Sequence, residues 1–301
     1  MKITYNDLYL EIRQKFQEAG YPGAALEARE LVCCVSRKTQ QEFFRDAREP
    51  VPAETQQQIR TYAGRHLDGE PVPYLIGEWD FYGLTLHVSR DVLIPRTDTE
   101  ILAEEAIQYL RTLGPCRVLD LCAGSGCVGL AVAANVPDCQ VLLGELSEKA
   151  IQICRRNIQR CGLSERVSVR RMDALLKPPK PVSAGEFQCI LCNPPYIPKP
   201  DLERLDRSVR DFEPQLALCG GADGLDFYRA VSRLWRDALD ENGRLYYEVG
   251  IGQADIVTQI MRSEGFGELR CVPDSRNIPR VVYGTKENSV WCPDFRTPFV
   301  L

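Results

Sequence analysis

An α/β fold, a doubly wound and mostly parallel sheet behind a small helical bundle, is what the order of apolar segments predicts. Three observations carry it. From Arg117 onward, short β-branched apolar runs alternate with amphipathic helical stretches, the order that builds a parallel sheet. A glycine loop, Gly124-x-Gly126-x-x-Gly129, follows the first of those runs and opens a helix. Before residue 73 the chain carries helical spacing only, with no strand pattern.

The elements follow in order. Leu8, Ile12, Phe16 and Ala19 share one helical face, and Gly20 is a natural stop. Ala25, Ala28, Leu31, Val32 and Val35 mark a second helix, Gln40–Arg45 a short third and Pro52–Leu67 a fourth. The texture changes at Glu70-Pro-Val-Pro73, so residues 1–73 are expected to form a separate unit. Residues 74–96 are a linker in which Trp79–Val88, aromatic and β-branched around Gly83, reads as a hairpin. Thr97 with Glu100 predicts a capping box for a helix through Leu110. Strands are expected at Val118–Leu121, Val141–Gly144, Val167–Arg171, Phe187–Cys192, Gly243–Val249, Glu268–Val272 and Arg280–Tyr283. Helices are expected at Lys149–Gln159, Phe227–Leu239 and Ala254–Ser263, so the α/β domain spans 97–285 and a patternless tail 286–301.

Composition narrows the function. A net charge of −5 advertises no nucleic-acid surface, and no apolar run approaches a membrane span. Thirteen cysteines, odd in number and scattered, predict reduced thiols in a cytoplasmic protein. Cys189-x-x-Cys192 lies on a strand, where residues three apart face opposite ways, so it is neither a chelate nor a redox pair. With two histidines, His66 and His87, no metal site and no Ser-His-Asp chemistry is expected.

Two loops carry the chemistry. Asp120-Leu-Cys122-Ala123-Gly124-Ser125-Gly126 leaves the first strand, and Glu145 ends the second, where an acid binds ribose hydroxyls. This pattern alone serves NAD and S-adenosylmethionine equally. Asp120 favours S-adenosylmethionine, because a carboxylate beside the loop repels a pyrophosphate but faces a cationic methionine end. Asp173, ending the third strand, is placed for the adenine amino group. Asn193-Pro194-Pro195-Tyr196 leaves the fourth strand, at the face of the sheet where ligands bind. Two prolines stiffen that exit. Asn193 offers an amide oxygen, Pro194 a carbonyl outside any ladder and Tyr196 a ring: two acceptors and a flat surface suit a planar –NH2 group.

That motif resembles the signature of S-adenosylmethionine-dependent methyltransferases acting on exocyclic or amide nitrogen. With Arg96-Thr-Asp-Thr-Glu100, the Asp120–Gly126 loop and Tyr247-Glu-Val-Gly250, all behind a helical domain, the chain resembles the release factor glutamine methyltransferases. The resemblance covers roughly residues 5–285 and implies a seven-stranded methyltransferase domain. It also implies a class 1 peptide chain release factor as partner, its Gly-Gly-Gln glutamine as substrate, and residues 1–73 as a docking domain on a monomeric enzyme. Asn193, Pro194 and Tyr196 are then catalytic, with Pro195 also on the substrate. The chain departs from the family at Thr97 (usually Pro), at Cys122 (usually Gly) and in Asp274–Arg280, which lacks the usual glycine. A ribosomal-protein glutamine methyltransferase, a nucleic-acid amino-methyltransferase and a non-catalytic partner-binding protein are the rival readings. Asp98-Thr99-Glu100 favours the release-factor branch over the first, and the missing basic face weighs against the second. Intact Asn193 and Tyr196 weigh against the third.

Overall fold

The computed structural model describes residues 2–180 and 182–287, so the expected tail lies outside the described residues from 288 on. The chain opens with α1 (Tyr5–Glu18), α2 (Ala24–Ser36), α3 (Gln40–Arg45) and α4 (Ala53–Leu67). Capping boxes start α1 and α3, Thr4 with Asp7 and Thr39 with Glu42, and each satisfies two N–H groups that a helix end leaves orphaned. Leu8, Ile12 and Phe16 meet Leu31, Val32 and Ile59 in one core. The bundle does not end at 73. A short helix, α5 (Val72–Ile76), adds Val72 and Leu75 to the same core and stops at Gly77, whose φ is 79°. Pro71 and Pro73 mislead as a break because proline disrupts a helix interior yet suits its first turn, where no N–H bond is lost.

β1 (Glu78–Phe81) and β2 (Leu84–His87) form the expected hairpin, with Phe81 opposite Leu84. Tyr82 and Gly83 make the two-residue turn, with φ of 48° and 77°. Positive φ at both positions is the turn whose twist matches the strands. The capping box expected at Thr97 and Glu100 does not form. Thr97–Thr99 make one tight turn, and α6 (Glu100–Leu110) begins without a side-chain cap. Glu100 Oε1 instead accepts the Tyr82 N–H at 2.7 Å, so docking of the hairpin tip takes the carboxylate from its local role.

Then come β3 (Cys116–Leu121), α7 (Cys127–Asn135), β4 (Cys139–Glu145), α8 (Glu148–Arg160), β5 (Val167–Arg171) and β6 (Phe187–Cys192). A one-turn helix, α9 (Arg207–Arg210), precedes α10 (Asp226–Leu234), β7 (Leu239–Glu248), α11 (Ala254–Ser263), β8 (Phe266–Pro273) and β9 (Pro279–Lys286). The helix expected over Phe227–Leu239 stops at Leu234, because Leu239 is already a strand residue opposite Phe187.

The seven strands lie in the order β5-β4-β3-β6-β7-β9-β8. All neighbours are parallel as far as β7, and β9 then runs antiparallel to both β7 and β8. The chain winds outward from β3 to one edge and then returns to β6 on its other side. The C-terminal ends of β3 and β6 therefore sit at the switch point, where open α/β sheets bind ligands. Residues of α6, α7 and α8 pack on one face of the sheet and those of α10 and α11 on the other. Cys189 faces the first layer and Cys192 the second, as strand alternation requires.

Candidate active site

A cavity opens at that switch point. Its wall includes Asp120, Cys122, Ala123, Gly124, Ser125, Glu145, Asp173, Asn193 and Pro195 from the expected set. Gly126, Pro194 and Tyr196 are not part of the wall. Gly126 caps α7 with φ 82°, and an added Cβ would meet Leu143 at 3.0 Å, so its role is in the turn. The wall also recruits Arg96, Thr99, Leu146, Ser147, Met172 and Phe227, which sequence reasoning did not select. Most are ordinary core or turn residues by type. Only the Arg96–Glu100 motif carried a signal for two of them.

The cofactor loop is tied down by its own carboxylates. Asp120 is 2 % exposed, and its Oδ2 accepts the Gly129 N–H at 2.9 Å. Burial, reinforced by Glu145, pushes its acid form up to about pH 7 despite that hydrogen bond. A side chain at Gly129 would crowd β3 and β4: its Cβ would meet Leu143 Cδ2 at 2.4 Å and Asp120 Oδ2 at 3.0 Å. Cys122 takes φ 60°, which explains the family preference for glycine and makes this cysteine a mildly strained substitute. The buried Asn157 of α8 binds the loop to the hairpin. It accepts the His87 N–H at 2.7 Å and donates to the carbonyls of His87 and Ser125 at 3.1 and 2.9 Å.

The residues present fit S-adenosylmethionine. Glu145 is held by two backbone N–H groups, Gly124 to Oε2 at 2.9 Å and Ser147 to Oε1 at 2.8 Å. Each carboxylate oxygen keeps a lone pair for a ribose hydroxyl. Burial raises the Glu145 pKa, and those N–H bonds oppose the rise. Ser125 Oγ is buried in the wall with no hydrogen-bond partner among the described residues, so a polar ligand atom suits it. Leu146, Met172 and Ala174 supply an apolar slot beside Asp173, whose Oδ1 already accepts the Leu175 N–H at 2.9 Å. Glu145→Ala is expected to weaken S-adenosylmethionine binding by about 1.5–3 kcal/mol, the scale of hydrogen bonds to a charged group. The rate at saturating cofactor should largely survive. Calorimetry on Glu145→Ala and Glu145→Gln checks this, and unchanged dissociation constants would remove Glu145 from the ribose site.

Several loops meet around Asn193 and Tyr196. Asn193 donates from Nδ2 to Thr99 Oγ1 at 3.3 Å, which leaves its Oδ1 as the free end. Gln253 donates to the Tyr196 carbonyl at 3.0 Å and accepts the Gly250 N–H at 3.0 Å. Residues 218–224 lie against the motif: the Ile197 N–H donates to the Leu218 carbonyl and the Ile197 carbonyl accepts the Gly220 N–H, both at 2.9 Å, and a Cβ on Gly224 would meet the Tyr196 carbonyl oxygen at 2.3 Å. Each charged residue of the Arg96–Glu100 segment reaches a different element. Arg96 pairs with the buried Glu213, Asp98 with Arg280 at 2.8 Å, and Glu100 with the hairpin. Arg280 also donates to Asp274, whose Oδ1 accepts from the Arg276 and Ile278 N–H groups at 2.9 Å. Asn277, at φ 63°, takes the left-handed turn of that loop, a position asparagine tolerates well among residues with a side chain.

Residues 7–77 match the PrmC N-terminal domain family, and residues 100–211 match a family described as conserved hypothetical protein 95. The release factor glutamine methyltransferase of Geobacter sulfurreducens is 37% identical over 89% of this chain and 91% of its own length. The Clostridium acetobutylicum protein of the same name is 38% identical over 72% and 75%. Among solved structures, the release factor-specific protein-(glutamine-N5) methyltransferase of Alicyclobacillus acidocaldarius is 33% identical over 67% of this chain and 99% of its own, with a TM-score of 0.40. The hMettl16 catalytic domain, solved with an RNA hairpin, has a TM-score of 0.52 at 16% identity over 70% and 79%, a likeness of fold alone. Among the described residues, no helix is long and apolar enough to cross a membrane.

Proposed function

The chain belongs to the release factor glutamine methyltransferase family, an S-adenosylmethionine-dependent one, and on that premise we propose its reaction. It transfers a methyl group to the side-chain amide nitrogen of the glutamine in the Gly-Gly-Gln motif of class 1 peptide chain release factors. One observation supports this most: Asn193 borders the cofactor cavity with its Nδ2 committed to Thr99, so that Oδ1 is left to accept an N–H from a substrate amide. No hydrogen bond to the Pro194 carbonyl occurs among the described residues, and it supplies the second acceptor.

A carboxamide nitrogen is a poor nucleophile, because its lone pair is spread into the carbonyl. Bound S-adenosylmethionine would supply a methyl carbon made electrophilic by its sulfonium, with the neutral thioether S-adenosylhomocysteine as the leaving group. Asn193 and Pro194 accept the two N–H bonds of the amide, aim the nitrogen and favour the positive charge that grows on it. Tyr196 packs beside the amide plane. The proton leaves to water after transfer, so no side-chain base is required. The release-factor assignment, favoured over a ribosomal protein by the names of the relatives, is tested by labelled-methyl transfer. Purified release factor, its Gln→Ala loop variant and transfer RNA are compared in parallel. Label is expected in the first alone. Label in the loop variant or in RNA would overturn the assignment.

A further inference from the structure

S-adenosylmethionine ends in an amino acid, and that end carries a carboxylate. With Glu145 and Asp173 on the adenosine and Asp120 toward the cationic groups, the carboxylate is left without a partner. Among the described residues, five charged side chains line the cofactor cavity: Asp91, Asp120, Glu145 and Asp173 are acids, and Arg96 is the one base. A carboxylate entering that cavity is repelled by the acids and needs a cation or several N–H donors. The glycine loop has few donors to spare. Ala123 gives its N–H to the Gly144 carbonyl at 3.2 Å and Gly126 to the Ala123 carbonyl at 2.7 Å. Gly124 and Gly129 give theirs to Glu145 and Asp120, both at 2.9 Å.

Arg96 stands at the end of the cavity where the carboxylate belongs. The wall crosses the C-terminal ends of four neighbouring strands, in the order β5-β4-β3-β6. Strands lie about 4.8 Å apart, so β5 and β6 are separated by about 14 Å, room for an extended nucleoside with an amino-acid tail. Asp173 and Glu145 mark the β5 and β4 end, and Asn193 marks the β6 end. Arg96 is tied to the β6 end through Thr99, whose N–H donates to the Arg96 carbonyl at 3.0 Å and whose Oγ1 accepts from Asn193 at 3.3 Å.

The guanidinium is also held from behind. Arg96 lines both the cofactor cavity and the cleft beside the bundle, whereas its partner Glu213 lines the cleft alone. The Glu213 side chain is 1% exposed, and its Oε2 accepts the Ile94 N–H at 3.3 Å. The ion pair occupies Nη2 of Arg96, and no other hydrogen bond from this guanidinium occurs among the described residues. A guanidinium has five N–H donors in a planar fork that matches a carboxylate. We propose that Arg96 is the carboxylate anchor of the cofactor site: Glu213 holds the guanidinium from the cleft, and its free edge binds the carboxylate of S-adenosylmethionine. The inference rests on the reading that Glu145 holds the ribose end.

The test is calorimetry on the full-length protein without release factor. The probes are S-adenosylmethionine and its decarboxylated form, which keeps the adenosine, sulfonium and amine and lacks only the carboxylate. Arg96→Met is expected to weaken S-adenosylmethionine binding by about 10–30-fold, and binding of the decarboxylated form by less than about threefold. Arg96→Lys keeps the charge but loses the fork, and should fall between Arg96→Met and wild type. Removing Arg96 alone strands the buried Glu213, so the double variant Arg96→Met, Glu213→Gln is measured beside it. The double variant should regain the melting temperature that Arg96→Met loses and keep the weak S-adenosylmethionine binding. If it regains the binding as well, Arg96 serves the fold alone and the proposal is overturned. Equal losses for the two probes overturn it too, because the lost contact is then not to the carboxylate. So does unchanged S-adenosylmethionine affinity with a raised KM for a Gly-Gly-Gln peptide, which would move Arg96 to the substrate. A Glu145→Ala protein that binds S-adenosylmethionine as tightly as wild type would instead remove the underlying reading.

Discussion

Asn193→Ala is expected to keep S-adenosylmethionine affinity within about twofold and to lower turnover by roughly 10²–10³-fold, the loss seen when one preorganised polar contact to a reacting group is removed. The side chain is half-buried and spans two roles. Nδ2 is spent on Thr99, and Oδ1 borders the cavity. The cofactor contacts drawn from Glu145 and the Asp120–Gly126 loop do not depend on it. Asn193→Asp is the sharper variant. It keeps the shape but loses the Nδ2–H donor that Thr99 accepts. It should therefore be as slow as the alanine variant. Single-turnover rates with saturating cofactor and release factor separate the cases. A rate within about threefold of wild type would leave Asn193 a structural turn residue.

Much of this architecture is legible in the residues, for identifiable reasons. β6 begins and ends where Phe187–Cys192 predicts, because a buried parallel strand is a continuous apolar or β-branched run between polar breaks; β5 also runs over Val167–Arg171, as an edge strand buried only at Val167. α3 and α11 likewise run over Gln40–Arg45 and Ala254–Ser263. The misreadings come from residues with more than one available partner. Glu100 has the spacing of a capping box, but the Tyr82 N–H lies within its reach only once the hairpin docks. Pro71 and Pro73 have the look of a linker and the function of a first helical turn. Residues 199–217 show no period because they form isolated turns held by other loops. In the site, Glu145 and Asn193 stand out because each ends an apolar strand. Thr99 and Ser147 are common turn residues, and only the fold shows which side chain each of them meets.

Removing the helical bundle is expected to separate docking from chemistry. The cut belongs at Gly77 rather than at 73, since Val72 and Leu75 are core residues of the bundle. A chain beginning at Gly77 keeps the hairpin, and with it the Tyr82–Glu100 bond and the Asn157 clamp on the cofactor loop. It loses the Tyr74 hydroxyl bond to the Val92 carbonyl, at 2.6 Å. It should bind S-adenosylmethionine within a few-fold of the full chain. Methylation of intact release factor should fall by about 10²-fold in kcat/KM, the cost of losing one or two strong interface contacts. A single glutamine pocket offers far less area than a stable protein–protein contact needs. A cleft on the bundle, lined by Tyr21, His66 and Trp79, shares Pro95 and Arg96 with the cofactor cavity. Activity on a short Gly-Gly-Gln peptide should fall much less, because a peptide that fills only the pocket never used the bundle. Equal losses on peptide and protein, with cofactor binding intact, would make the bundle a support for the active site and not a docking module.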